Sequence, residues 1–177
     1  IFWAQRKQKK GKLDFQTAKP PVSVVICSKN ESENLHKFLP SILEQDYPNF
    51  EVVVVNDGST DTTSEVLSIF KEKYNNLYET YIPQSAEIIS RKKLGLTPGV
   101  KAAKNEILLF TDADCKAVSR HWISKMVRNF TPETEFVLGC GLYMYEKTFI
   151  NRLISYDTLT IALQYLGFAF AGRPYMG

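Results

Sequence analysis

An α/β domain built on a largely parallel sheet is what this sequence predicts, and three observations carry the prediction. From Pro20 onward, apolar runs alternate with segments of helical period. The apolar runs are continuous rather than alternating, the pattern of strands covered on both faces. Three of the runs end in polar clusters, at residues 28–31, 56–61 and 111–114.

Residues 22–27 form the first apolar run, a central strand broken by Ser28-Lys29-Asn30. Residues 31–45 read as a helix, with Leu35, Phe38, Leu39, Ile42 and Leu43 on one face. Pro40 is awkward inside it and a source of a kink. Tyr47-Pro48-Asn49 is a turn, and residues 51–55 a second buried strand. The polar loop 56–61 comes next, and its last residues suit the N-cap of a helix over 62–74. A third strand falls at 77–82. A helical stretch over 87–104 is interrupted at Thr97-Pro98-Gly99, where Thr97 as N-cap and Pro98 at the first helical position restart it. Residues 107–110 are a further strand, 119–130 a helix and 136–145 a strand. Residues 149–170 are helical and apolar, yet Asn151, Arg152, Asp157 and Gln164 argue against a membrane span and for a buried or interfacial helix. Right-handed crossovers carry the strand ends to one side, where ligands bind in such sheets. The three polar clusters are therefore expected to meet on one edge.

The 177 residues suffice for one domain with a sizeable core, and 44% hydrophobic residues exclude a disordered chain. Charge is uneven. Residues 1–19 hold Arg6, Lys7, Lys9, Lys10, Lys12 and Lys19 against Asp14, whereas residues 20–177 are slightly acidic. The basic arm comes after Ile1-Phe2-Trp3-Ala4, a sequence like the cytoplasmic exit of a membrane helix; the rival reading is an inert solvated tail. We read 1–19 as a juxtamembrane arm and 20–177 as the domain, with membrane attachment through flanking helices that this sequence lacks. The acidic balance of the domain speaks against a nucleic-acid surface. Cys27, Cys115 and Cys140 are odd in number and far apart, so they read as reduced core filler. His36 and His121 stand alone, with no partner at ligand spacing.

Chemistry gathers at the strand ends. Asp112 and Asp114 flank small Ala113, and in an extended segment positions i and i+2 share a side. Two such carboxylates can address one hard cation, which takes oxygen ligands and keeps phosphate oxygens in its shell; the plain alternative is a solvated turn. Asp57, just past the second strand, can accept hydrogen bonds from a base or ribose, while Ser59, Thr60 and Asp61 serve local backbone bonding. Asn30 and Glu31 form the third cluster. The glycine-rich phosphate loops of dinucleotide and P-loop folds are both absent. A nucleotide here is held by side chains and a metal.

These segments resemble family 2 glycosyltransferases. The run Val22-Ser23-Val24-Val25-Ile26-Cys27-Ser28-Lys29-Asn30-Glu31 is similar to the family's opening strand. Val52-Val53-Val54-Val55-Asn56-Asp57-Gly58-Ser59-Thr60-Asp61 and Phe110-Thr111-Asp112-Ala113-Asp114 resemble its second motif and its metal-binding Asp-x-Asp segment. The resemblance implies a GT-A fold, Rossmann-like and incomplete at its C-terminus, and a nucleoside-diphosphate sugar donor, most often a UDP-sugar. It implies Asp57 at the uracil or ribose with Ser28, Asn30 and Glu31 nearby. It implies Asp114 on Mg²⁺ or Mn²⁺, and Asp112 near ribose and metal. Lys92, in the basic stretch Arg91-Lys92-Lys93, resembles the family's diphosphate lysine, against the alternative of a solvated helix face. Transfer with inversion to an acceptor hydroxyl or lipid phosphate is the implied reaction, at the cytoplasmic face of the inner membrane.

The family's later acidic motif, which carries the catalytic base, has no counterpart; Asp157 is the last acid and sits in a helical pattern. We read the sequence as a piece of a longer enzyme, inactive by itself. The alternatives are a short non-catalytic nucleotide-sugar-binding module and a sugar-phosphate nucleotidyltransferase. The latter class carries a Gly-rich, Arg-containing loop after its first strand, and Ser28-Lys29-Asn30-Glu31 is not such a loop.

Overall fold

A computed structural model describes residues 3–5, 19–82, 91–131, 134 and 136–173, with side chains described from residue 19 onward except at 91–95. The chain separates into two compact units, Ile1–Leu138 and Gly139–Gly177.

The first unit holds a five-stranded sheet. Its strands are β1 (Trp3–Gln5), β2 (Val22–Ser28), β3 (Phe50–Asn56), β4 (Leu77–Tyr81) and β5 (Ile107–Asp112), in the order β1-β5-β2-β3-β4. The pairs β2–β3, β2–β5 and β3–β4 are parallel, and β1 is antiparallel to β5. The mostly parallel sheet expected from the continuous apolar runs is present. Val24, Ile26, Val52 and Val54 on one face and Val25, Val53 and Val55 on the other are all buried, as strands covered on both faces require.

Helices α1 (Ser32–Leu43), α2 (Thr63–Lys73) and α4 (Trp122–Val127) contribute Leu35, Leu39, Ile42, Leu67, Phe70, Ile123 and Met126 to one core with those strand residues. Each buried side chain of that size contributes about 1.5–3 kcal/mol. Helix α3 (Arg91–Ala102) packs on β2, β3 and β4. The chain thus moves from β2 outward through β3 to β4, then returns to the other side of β2 with β5. That reversal is a topological switch point, where open α/β sheets bind ligands.

Four expectations need correction. The break at Thr97-Pro98-Gly99 does not occur, because α3 runs through Pro98. Gly99 explains the close packing: a Cβ there would run into Val25 Cγ1 and stand 2.9 Å from Val55 Cγ2, so only glycine lets the helix lie this close to the sheet. Residues 136–145 form no strand beyond a single bridge residue at Leu138. Gly139 and Gly141 interrupt that segment, and β propensity without a neighbouring strand to pair does not hold an extended chain. The helix expected over 119–130 is the shorter α4. Trp3–Gln5, read as part of a basic arm, adds an edge strand to β5; residues 6–18 and 83–90 lie outside the described residues, as does the start of the expected helix at 87.

The second unit contains α5 (Phe149–Phe170), N-capped by Thr148, whose hydroxyl accepts from the Asn151 N–H at 3.1 Å. It buries none of its residues, which removes the buried alternative of the buried or interfacial helix expected. Among the described residues, no helix is long and apolar enough to cross a membrane.

Candidate functional site

The ladder register builds the site. Ser28 stands beside Asn56, and Cys27 stands between Val55 on one side and Asp112 on the other. The ends of β2, β3 and β5 therefore finish level at the switch point, and the three polar clusters meet on one edge as the sequence predicts. The Asp57 N–H donates to the Ser28 carbonyl at 2.9 Å and carries the pairing one residue past β3.

Most of the residues around this edge are engaged in holding its loops. Asn30 adopts φ +55°, an uncommon conformation for a residue with a side chain. Its N–H donates to Ser59 Oγ at 3.0 Å, and its Oδ1 accepts from the Thr60 N–H at 2.8 Å. One asparagine thus latches the β2 loop to the β3 loop. Asn56 is buried; its Oδ1 accepts from the Ser59 N–H and its Nδ2 donates to Ser64 Oγ at 3.1 Å. Asp61 serves two helices at once: its Oδ2 accepts from the Ser32 N–H at the start of α1, and its Oδ1 from the Thr63 N–H at the start of α2, both at 3.1 Å. Hydrogen bonding from the Thr63 side chain first, then from the Ser32 side chain and these two N–H groups, lowers its pKa to about 2. The structural role expected for the Thr60–Asp61 end of the loop is what these bonds show.

The sequence-predicted site residues divide accordingly. Ser28 is buried and donates its hydroxyl to the Val55 carbonyl at 3.3 Å, so its side chain faces the protein. Glu31 is the residue before α1; its N–H donates to Thr63 Oγ1 and its Oε2 accepts from Asn34 Nδ2 at 2.6 Å. An open cleft of about 460 Å³ is lined by Asn30, Glu31, Ser32, Glu33, Asn34, Thr60 and Asp61. It includes none of Asp57, Asp112 and Asp114, and its lining is largely the latch just described, so we do not identify it with the strand-end site. Asp57 stays half-buried and open, beside the αL turn residue Gly58 (φ +60°), with Lys29 Nζ 3.7 Å from its Oδ2. Lys92 belongs to α3, and its side chain lies outside the described residues.

Asp112 and Asp114 are exposed while Ala113 between them is buried; β5 ends at Asp112, so a turn over Ala113 and Asp114, in place of the extended segment expected, brings the two carboxylates together. The Cys115 N–H donates to the Asp112 carbonyl at 3.2 Å, closing a turn. Ligand atoms of Asp112, Asp114 and Cys115 lie within 4.8 Å of one another. Among the described residues, no other acids, histidines and cysteines converge in this way. Two carboxylates and a thiol form a donor set that suits a divalent cation. The electrostatics agree. Burial pushes the Cys27 thiol up to about 11, and the charges of Asp112 and then Asp57 push it the same way, so carboxylates from both neighbouring strands are felt at one point. Burial raises the Cys115 thiol as well, with the Asp114 charge adding to it. Sequence reasoning missed Cys115, because an i+1 neighbour of Asp114 points away in a strand and only the turn brings it back. It also missed Lys29, whose signal was merely a cation next to Asn30.

The chain resembles known proteins in sequence and fold. Residues 23–172 match the family model described as glycosyl transferase family 2. Over 93 residues the chain is 32% identical to the poly-beta-1,6-N-acetyl-D-glucosamine synthase of Staphylococcus epidermidis, covering 52% of this chain and 21% of that protein. Among solved structures, the mannosyltransferase PcManGT of Pyrobaculum calidifontis, in complex with GDP-Man and Mn²⁺, is similar at a TM-score of 0.55 and 30% identity, over 64% of this chain and 33% of its own. S. aureus TarS 1-349 in complex with UDP-GlcNAc is similar at a TM-score of 0.50 and 27% identity, over 59% and 29%. The chain spans between a fifth and a third of the length of these three.

Proposed function

The chain belongs to glycosyl transferase family 2, and from that membership we propose that it binds the donor in the metal-dependent transfer of a sugar from a UDP-sugar, with inversion. The observation that carries the reading is the convergence of Asp57, Asp112 and Asp114 at the switch point of a parallel sheet.

Asp57 would accept hydrogen bonds from the uracil or ribose. Asp112 and Asp114 would hold Mg²⁺ or Mn²⁺, which neutralises the diphosphate leaving group as the glycosidic bond breaks. Asn30 would stand near the nucleotide, and its amide oxygen, which accepts from the Thr60 N–H, ties down the loop that carries Asp57. The reading draws support from the Mn²⁺ and GDP-Man bound by PcManGT and from the UDP-GlcNAc bound by TarS. The N-acetylglucosamine polymer made by the Staphylococcus epidermidis relative points to uridine over guanosine. Nothing in the geometry favours a nucleotidyltransferase. The cationic residues Arg6 to Lys12 support a site of action at the cytoplasmic face of a membrane in this reading.

Calorimetric titration with UDP tests it. Binding is expected with Mn²⁺, and is expected to disappear with EDTA and in Asp114→Ala. Equal binding of UDP with and without metal, or preference for GDP, would overturn the metal or the base assignment respectively.

A further inference from the structure

We propose that Cys115 is a third donor of the metal site and tunes it toward thiophilic divalent ions. The inference rests on the reading of Asp112 and Asp114 as metal carboxylates. A pair of acids alone offers hard oxygens and suits Mg²⁺ well. The turn after β5 changes that donor set. The Cys115 N–H donates to the Asp112 carbonyl at 3.2 Å, which folds the chain back. The sulfur then stands 3.6 Å from Asp114 Oδ1, within the 4.8 Å group that includes an Asp112 oxygen. An ion holding sulfur at about 2.3 Å and carboxylate oxygen at about 2.1 Å in a tetrahedral shell has sulfur–oxygen edges of about 3.6 Å. The spacing found between the free side chains is such an edge.

The sulfur is specific to this position. Cys27 is the ladder neighbour of Asp112, yet it does not join the converging group, and Cys140 belongs to the second unit. Affinity of a mixed oxygen and sulfur site rises from Mn²⁺ to Zn²⁺ along the first-row series, and thiolate favours the softer ions further. Binding replaces the S–H bond with a metal–sulfur bond and releases the proton to solvent. Zn²⁺ or Cd²⁺ then competes with the hard ion at the site.

Cd²⁺ is the probe, because a cadmium–thiolate bond adds a charge-transfer absorption in the ultraviolet that oxygen ligands do not. Titrating Cd²⁺ into the chain is expected to raise this band in the unsubstituted protein and in Cys27→Ser, and to fail in both Cys115→Ser and Cys115→Ala. Asp114→Asn is expected to raise the Cd²⁺ dissociation constant at least about tenfold. A band that persists in the two Cys115 variants, or that is indifferent to Asp114→Asn, would overturn the proposal and leave the 3.6 Å contact as an S–H to carboxylate hydrogen bond. The band is read without nucleotide, so it stands apart from the UDP titration: metal-independent UDP binding would fail the donor-site reading even where cadmium binds.

Discussion

The two ends of strand β3 carry a carboxylate each, and they are treated in opposite ways. At the start, Glu51 is buried and saturated. Its Oε1 accepts from Ser23 Oγ and from the Lys104 N–H, both at 2.6 Å, and Lys104 Nζ lies 3.8 Å from its Oε2. Just past the other end, Asp57 is half-buried, and its carboxylate has, among the described residues, a long ion pair to Lys29 as its one partner. Asp112 and Asp114, at the same end of the sheet, are exposed as well, and the one contact on either carboxylate from the described residues is the Cys115 sulfur. The difference separates structure from function by satisfaction rather than by residue type. A carboxylate surrounded by protein donors ties the fold together, whereas one left open has valence to spend on a ligand.

The contrast breaks most visibly at Glu51. Glu51→Ala leaves the buried Ser23 hydroxyl without its acceptor and takes the partner from the Lys104 N–H, and a buried donor without a partner costs about 1–3 kcal/mol. A loss of about 3 kcal/mol in urea unfolding is expected, with UDP affinity of the folded protein unchanged. A fall in affinity as large as the fall in stability would erase the distinction between the two ends. Asp114→Ala is the mirror experiment. Stability is expected to stay within about 0.5 kcal/mol, since an exposed side chain is removed. Mn²⁺-dependent UDP binding is expected to weaken by about two decades, or about 2.7 kcal/mol.

Asn30 sharpens the comparison, because it sits at the open end and yet its amide oxygen serves the fold. Asn30→Gly keeps the φ of +55° available and removes the bonds from the Thr60 N–H and the Thr60 hydroxyl, so about 1 kcal/mol of stability is expected to go. UDP binding should weaken with it as the Asp57 loop loosens. Asn30→Ala adds the left-handed strain, about 1–2 kcal/mol. Chemical denaturation of the two variants side by side separates the latch from the strain; equal stability would mean that no strain is held there.

How much of this was legible depends on the origin of each feature. The sheet, its parallel pairing and the meeting of the three clusters arise from continuous apolar runs and right-handed crossovers, so residues such as Val24, Val54 and Asp112 could be placed from sequence. The uninterrupted α3 could not. Pro98-Gly99 carries a local stop signal, and only the approach of the helix to Val25 and Val55 gives Gly99 its role. Residues 136–145 have strand-like side chains, but pairing is a property of the neighbour, not of the segment. The identities of Asp57, Asp112 and Asp114 were readable because they come directly after buried strands. The engagement of Ser28, Asn30 and Glu31 with the protein was not, since it arises from bonds to residues about 30 positions away.

The smallest effect concerns Asp61, the acid at the open end that behaves like Glu51. Its carboxylate accepts from the first N–H groups of α1 and α2, and helix N-termini favour a negative charge. The folded pKa is held at about 2, below the ordinary value of 3.8 that the unfolded chain keeps. The unfolded chain therefore takes up the proton first, so the stabilisation is fully present above about pH 4 and is lost as pH falls through about 2. Asp61→Asn keeps the shape and part of the acceptor capacity while removing that titration. Unfolding curves at about pH 6 and about pH 3 should therefore differ less for Asp61→Asn than for the unsubstituted chain. Because the side chain is solvent-exposed, the gap is expected to be narrow and to shrink further in high salt. If the gap is unaltered by the substitution, the acid sensitivity of this edge belongs to other carboxylates, and Asp61 would join Asp57 on the side of groups the fold does not need.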